Sequence, residues 1–515
     1  MGFRAMLLAD LVATSDAVAR VSGRLEKIER LAALFSRLAP GEVEIAVGFL
    51  TGLPRQGKLG IGGATIVSAR DVAPSDAPTL DLADVDTTLA QLATTSGSGS
   101  ARRKAEILRD LFTRSTRPEQ DFLVRLLFGE LRQGALEGVI LEAVARAANV
   151  PAASVRRAAM MAGDLGTVAR AALAEGEPAL AQFLVQLFRP VQPMLADSAS
   201  DVGEALDRLG EAALEFKLDG ARIQVHKAAG EVRVYSRALR DVTTAVPEVV
   251  ELVRALPARE LILDGEVIAL RPDGAPHPFQ TTMSRFGRKL DVARMRGELP
   301  LTPFFFDALL VDGAPLVDEP QARRFSALVD VATPLVVPHL VAPGRAQAAA
   351  FLDEALARGH EGVMAKALDA PYAAGRRGAS WQKVKVATTL DLVVLAAEWG
   401  HGRRQGWLSN LHLGARDPER NAFVMLGKTF KGLTDEMLAW QTERLLALEI
   451  GRDDYTVYVR PELVVEIAFN ELQASPHYPG GLALRFARVK RYRTDKTAQD
   501  ADTIGRVKEM HQSGS

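Results

Sequence analysis

Three architectures in series are predicted for this 515-residue chain: an all-α N-terminal part, a largely antiparallel α+β middle part and a small C-terminal β-barrel. Hydrophobic residues recur at three- and four-residue spacing up to about position 190, after which short alternating and β-branched runs take over. Most of those runs are joined by turns too short for the crossover that parallel strands require. The length, with 48% hydrophobic residues, supplies material for two to four packed cores and excludes global disorder.

The N-terminal domain is expected to span 1–190. Stretches such as RLEKIERLAALFSRLA and QDFLVRLLFGELRQGALEGVILEAVARAA carry the helical period. TTSGSGSARRK, at 94–104, reads as a loop between two helices because the periodicity resumes on both sides. FRPVQPMLA then marks a change, and the runs ALEFKL, RIQVHK, EVRVYS, ELILDGEVIAL, PFFFDALLVDG and WQKVKV assign strands to a domain over 191–386. Helical patterns intervene near 246–256, 321–330 and 346–358. From 387 to 515, several short strands around one helix at 434–448 suit a small barrel.

Composition closes off several chemistries. The chain has no cysteine, which removes disulfides, thiolate zinc sites, iron–sulfur clusters and cysteine nucleophiles together. The apolar run before Asp10 is too short for a secretory signal, Met6 stands where myristoylation wants Ser or Thr, and no run has the length of a membrane span. A cytoplasmic location is therefore expected. The net charge is -1, from 63 basic and 64 acidic residues, so any cationic face for nucleic acid must be local.

The densest group of reactive side chains is EFKLDGARIQVH, 215–226, with Lys217, Asp219, Gly220 and Arg222 beside a turn. It reads either as a hairpin with an Asp-Gly turn or as a nucleophilic lysine. A lysine amine attacks phosphorus only when deprotonated, which calls for desolvation, nearby cations or a metal, and Arg222 would grip a phosphate or sugar. Glu266 in LDGEVIA and Glu361 in EGVMAK read as strand-end carboxylates facing a cleft, compensated by a divalent cation or by ion pairs with Lys366 or nearby arginines. Alternation in WQKVKV sets Lys383 and Lys385 on one strand face. LRFARVKRYRTDK gathers six basic residues from Arg485 to Lys496, the local cationic patch that the total charge hides.

KLDGAR resembles the KxDGxR motif of the ATP-dependent DNA ligases, within the covalent nucleotidyltransferases. YSRALRDVT, LDGEVIA, FFFDALL, EGVMAK, WQKVK and LRFARVKRYRTDK follow in that family's order, and FLVRLLFGELRQGALEG is similar to its DNA-binding domain. The resemblance covers nearly the whole chain. It implies a helical DNA-binding domain, a nucleotidyltransferase domain and an OB-fold barrel that form a clamp around nicked duplex DNA, acting as a monomer.

The resemblance further implies that Lys217 takes AMP from ATP, that Glu215 and Phe306 lie against adenine, and that Arg237 and Glu266 meet the ribose. Arg377, Lys383 and Lys385 would contact the nucleotide and its phosphates, although Arg376 is an equal candidate for the arginine. Glu266 and Glu361 would be the Mg2+ pair. Two positions depart from the usual pattern: Ala487 where many relatives have proline, and Asn470 where many have aspartate. RNA ligases and capping enzymes share the lysine motif but fit the helical N-terminal part and the ending less well. NAD-dependent ligases carry a four-cysteine zinc module that this chain lacks. A catalytically dead clamp is disfavoured by the presence of Lys217, Glu266, Glu361, Lys383 and Lys385. Only 14 of the 63 basic residues are lysine, which points to a GC-rich, bacterial genome.

Overall fold

The computed structural model describes residues 5–57, 59–131, 137–287, 291–373, 377–385 and 388–513, without the side chains of 377–379, 403 and 513. Among these residues, eleven helices run from Leu8–Arg20 to Glu177–Leu180 before the first strand begins at Leu195. Helix ends follow the local chemistry: Asp81 caps Leu82–Thr94, and Gly129, in the left-handed region at φ 70°, ends Arg117–Phe128. The loop expected at 94–104 is shorter: only 95–99 connect Leu82–Thr94 to Ser100–Arg114, and 100–104 are already helical. No helix among the described residues is long and apolar enough to cross a membrane.

The middle part contains two five-stranded sheets. Its strands are β1 (Leu195–Ala199), β2 (Ala212–Phe216), β3 (Ala221–Ala228), β4 (Glu231–Ser236), β5 (Leu261–Ala269), β6 (Leu301–Val311), β7 (Ala314–Pro315), β8 (His339–Val341), β9 (Gly362–Ala367) and β10 (Arg377–Lys385). One sheet has the order β1-β10-β9-β2-β8 and the other β4-β3-β5-β6-β7. Pairing is antiparallel except between β1 and β10.

The hairpin reading of KLDGAR is corrected here. β2 and β3 belong to different sheets, and Lys217–Gly220 is the crossing between them. The crossing passes so close to β5 that a Cβ on Gly220 would lie 2.2 Å from the Val267 carbonyl oxygen, which only glycine avoids.

The helical part is joined to this pair of sheets by apolar and polar contacts. Met160 and Met161 share a core with Val191, Met194, Ile262 and Leu309. Along the connecting segment, the Phe188 N–H donates to His226 Nδ1 at 2.9 Å and the Val191 N–H to Gln224 Oε1 at 2.8 Å. Arg157 pairs with Asp318 at 2.6 Å.

The C-terminal part adds β11 (Thr388–Trp399), β12 (Leu408–Asp417), β13 (Ala422–Thr429), β14 (Glu449–Arg452), β15 (Thr456–Val459), β16 (Val464–Phe469), β17 (Glu471–Ala474), β18 (Leu482–Arg485) and β19 (Arg488–Tyr492). Seven of them form an antiparallel half-barrel in which the long β11 pairs with β16 along its first half and with β12 and β15 along its second. The expected helix is found at Asp435–Ala447, and β17 and β18 form a separate two-stranded ribbon.

Candidate active site

A cavity of about 680 Å³ is lined by both sheets of the middle part, with Asn470, Arg485 and Phe486 of the C-terminal part completing its wall. Lys217 reaches it from the sheet-to-sheet crossing. Its backbone is pinned twice, since the Lys217 N–H donates to the Gly362 carbonyl at 2.8 Å and the Glu361 N–H to the Lys217 carbonyl at 3.1 Å. That pairing sets the Glu361 carboxylate beside the lysine, where it accepts hydrogen bonds from both Lys217 and Lys385. Gly362 permits the approach, because a Cβ there would lie 2.1 Å from the Val384 carbonyl oxygen on β10. Register on β9 and β10 sets Lys385 opposite Gly362 and Lys383 opposite Met364, and both lysines line the cavity.

Charges in this cluster lie close enough to shift one another. Desolvation acts to lower the Lys217 pKa, but Glu361, then Glu266 and Asp219, outweigh it and hold the ammonium above its ordinary value. The expectation of a lowered lysine pKa is therefore not met in this geometry; three carboxylates around one amine are the reason. Lys385 moves the other way, pushed down by burial and by Lys217. Desolvation raises Glu266 to about 7, against the attraction of Lys217 and Arg222, and it raises Asp219 to about 6. Glu361, with two lysines on it, is held below the usual carboxylate range even though burial opposes this.

Glu266 sits mid-strand on β5, not at a strand end, and its Oε1 accepts the Gly220 N–H at 3.2 Å. Glu361 does lie at a strand end, immediately before β9. The alternative partner Lys366 belongs to neither of them; it pairs with Glu215 at 2.7 Å, with both side chains almost fully buried. Glu215 Oε1 has no hydrogen-bond partner, and desolvation raises this carboxyl to about 7 despite Lys366.

On β6 the pleat separates the three phenylalanines: Phe305 is fully buried in the core of its own sheet, while Phe304 and Phe306 lie on the opposite face. Phe306 lines the cavity, with the Lys366 ammonium 4.6 Å from its ring centroid. Arg237 also lines the cavity and is exposed.

Arg222 is in the cavity wall, and its donors are engaged. It grips Asp264 with two hydrogen bonds at 3.0 and 2.6 Å, the Met194 carbonyl at 2.6 Å and the Tyr372 hydroxyl at 3.2 Å. The Arg377 backbone pairs with Leu195, but its side chain and all of Arg376 lie outside the described residues. A larger cavity, about 880 Å³, lies on the half-barrel around Trp399, Phe430 and Tyr455, and none of the candidate residues line it.

Three family models match parts of the chain. Residues 193–385 match an ATP dependent DNA ligase domain, 404–496 an ATP dependent DNA ligase C terminal region and 65–145 a DNA ligase N terminus. A probable DNA ligase of Anaeromyxobacter sp. (strain Fw109-5) is 63% identical over 509 residues, covering 98% of each chain. The chain belongs to the ATP-dependent DNA ligase family. A probable DNA ligase of Sorangium cellulosum is 59% identical over 508 residues, covering 98% of this chain and 95% of its own. A solved structure described as Pmar-Lig_Pre, 19% identical, covers 94% of this chain and 99% of its own at a TM-score of 0.63, a likeness of fold.

Within this ligase, Asp264, Tyr372 and Trp381, none of them predicted as site residues, hold the predicted ones. Asp264 and Tyr372 anchor Arg222, with the Tyr372 hydroxyl donating to Asp264 at 2.7 Å. Trp381 stands edge-on to both Phe306 and Tyr372; Arg485, already named in the basic stretch, reaches from the β17–β18 ribbon to Asp219 at 3.2 Å. Asp264 lies in LDGEVIA and Trp381 in WQKVK, whereas Tyr372 lies in no motif and carries no signal in the sequence.

Proposed function

We propose that this ligase seals nicks in duplex DNA by three phosphoryl transfers, the first two through Lys217. In the first, the deprotonated Nζ attacks the α-phosphorus of ATP, an N–P bond forms, the bond to the β-phosphate oxygen breaks and pyrophosphate leaves. In the second, an oxygen of the nick's 5′-phosphate takes AMP from the lysine and the N–P bond breaks. In the third, the 3′-hydroxyl oxygen attacks that activated phosphate, loses its proton and expels AMP. The observation that carries the reading is the convergence on one cavity of Lys217 and the candidate nucleotide contacts other than Arg377, drawn from two sheets and from segments far apart in sequence.

The remaining roles follow from chemistry. Phe306 offers a flat ring to adenine, and Glu215, with an unpartnered oxygen, offers an acceptor for its amino group. Arg237 and Arg222 line the cavity toward the sugar, with Arg222 rigidly held. Lys383, Lys385 and Arg377 supply positive charge to phosphate oxygens, where charge grows during transfer. No group of three metal-binding side chains is assembled among the described residues, and Glu266 is a desolvated carboxyl short of compensation. Such a pair, Glu266 with Glu361, suits Mg2+, which commonly takes one or two carboxylates plus phosphate oxygens and water. The ion would neutralise phosphate charge.

The deciding experiment is incubation with α-labelled ATP and Mg2+, followed by a chase with nicked duplex. The expected result is a labelled protein adduct that is discharged by the nick and absent in Lys217→Ala. An adduct retained in that variant would overturn the assignment of the nucleophile. As proposed for the family's clamp, one monomer would surround the duplex through phosphate contacts, with little sequence preference.

A further inference from the structure

Tyr372, between β9 and β10, is 2% exposed and does not line the Lys217 cavity, yet its hydroxyl makes every hydrogen bond that a hydroxyl can. It donates to Asp264 Oδ2 at 2.7 Å and accepts from Arg222 Nη2 at 3.2 Å and from the Met194 N–H at 3.0 Å. Three segments therefore meet on one oxygen: β3 through Arg222, β5 through Asp264 and, through Met194, the chain arriving from the helical part. The rest of the residue is fixed independently. Its ring stands edge-on to Trp381 and 5.8 Å from the Arg324 guanidinium carbon, and its N–H donates to the Val317 carbonyl at 2.8 Å.

The consequence falls on Arg222, whose guanidinium has five N–H bonds. Nε and one Nη2 N–H go to Asp264, the other Nη2 N–H to Tyr372 and one Nη1 N–H to the Met194 carbonyl. Among the described residues, that leaves one Nη1 N–H without an acceptor. A phosphate is gripped best by two parallel N–H bonds, and here that fork is engaged by Asp264. The remaining N–H suits a single acceptor. The guanidinium carbon lies 5.4 Å from the Phe306 ring centroid, and the group next to a base stacked on that ring is its sugar, which offers hydroxyl oxygens one at a time.

We propose that Tyr372 is a positioning residue for nucleotide selection: it turns Arg222 so that its one remaining N–H meets a ribose hydroxyl of ATP, and the enzyme thereby favours ATP over the deoxynucleotide that lacks that oxygen. A site built to hydrogen-bond a hydroxyl rejects the analogue without it, because the donor is then left unpaired. Without the Tyr372 hydroxyl, a second N–H of Arg222 loses its acceptor, and the guanidinium no longer presents a single donor in a single direction.

This role presupposes the lysine-adenylate reading, and the test separates the two. Tyr372→Phe keeps the ring contacts and removes only the hydroxyl. The second-order rate constant of adduct formation is measured with α-labelled ATP, 2′-deoxyATP and 3′-deoxyATP. The expected result is a parent that favours ATP over one of the two analogues by about tenfold or more, as for loss of a hydrogen bond to a charged group, and a variant in which that ratio falls to within about threefold. A merely structural role would slow all three nucleotides alike and leave the ratio unchanged. Asp264→Asn, which loosens the same guanidinium from its other side, carries the same expectation and stands in if Tyr372→Phe fails to fold. A parent that uses both analogues as well as ATP, or a variant that keeps the parent's ratio, overturns the role of Tyr372. Failure of the parent protein to form any adduct with ATP would overturn the proposed function instead.

Discussion

Glu361 binds Lys217 and Lys385 at once, one carboxylate oxygen to each lysine. Lys217, the proposed nucleophile, is thus held as an ammonium by the residue that its own backbone pairing brings alongside. Because only the free amine attacks phosphorus, the adduct rate should climb with pH, close to tenfold per unit, across the range below the lysine pKa. Glu361→Gln should displace the profile toward acid while lowering its maximum. Single-turnover adduct rates between neutral and alkaline pH check this, and a flat parent profile would contradict it.

Phe306 is expected to act in binding more than in chemistry. Losing one stacked ring costs about 1–3 kcal/mol, so Phe306→Leu should raise KM for ATP roughly tenfold or more with kcat little changed. A loss confined to kcat would argue against stacking.

The ion pair of Arg324 with Asp307 is fully buried, and Asp307 adjoins Phe306. Arg324 also donates to the Glu319 and Ala370 carbonyls at 2.7 and 2.9 Å. Removing one member leaves an uncompensated buried charge, so Arg324→Leu should destabilise the protein by about 3–5 kcal/mol. Denaturant unfolding measures it, and Asp307→Asn with Arg324→Leu together should cost less than the sum of the singles.

His226 is buried as the neutral ring, its Nδ1 accepting from Phe188 and its Nε2 meeting Gln224 Oε1 at 2.9 Å. Desolvation pushes its pKa down to about 3. The unfolded chain, with histidine near 6.5, binds the extra proton first as pH falls, so this contribution is complete above about 6.5 and is lost toward 3 at about 1.4 kcal/mol per unit. Glu215 and Glu266, raised to about 7, slope the opposite way between their unfolded values and neutrality. The comparison is therefore between the parent and His226→Gln, whose stability difference should shrink by about 2 kcal/mol from pH 7 to pH 5. A difference independent of pH would refute it.

Binding to nicked duplex should weaken steeply with salt, by orders of magnitude between about 50 and 200 mM if six or more phosphates are contacted. A flat response would mean that the basic stretch 485–496 does not face DNA.

The order of the motifs was legible in the linear chain because each is a local pattern: alternation puts Lys383 and Lys385 on one face, and Phe306 beside Phe305 had to alternate across a strand. The change from helical to strand periodicity was legible for the same reason. Which strands share a sheet was not, so a hairpin turn stood as one of two readings of KLDG, which is a crossing between sheets. Pairing partners such as Arg222 with Asp264 and Tyr372, or Lys217 with Glu361, lie 42 to 150 residues apart, a separation to which no periodicity extends. The protonation of Lys217 likewise belongs to tertiary structure alone, since a pKa is set by burial and by charges that only folding brings within a few ångströms. Sequence determined which chemical groups are present and on which face of each strand they stand; the packing of two sheets and a half-barrel decided which of them meet.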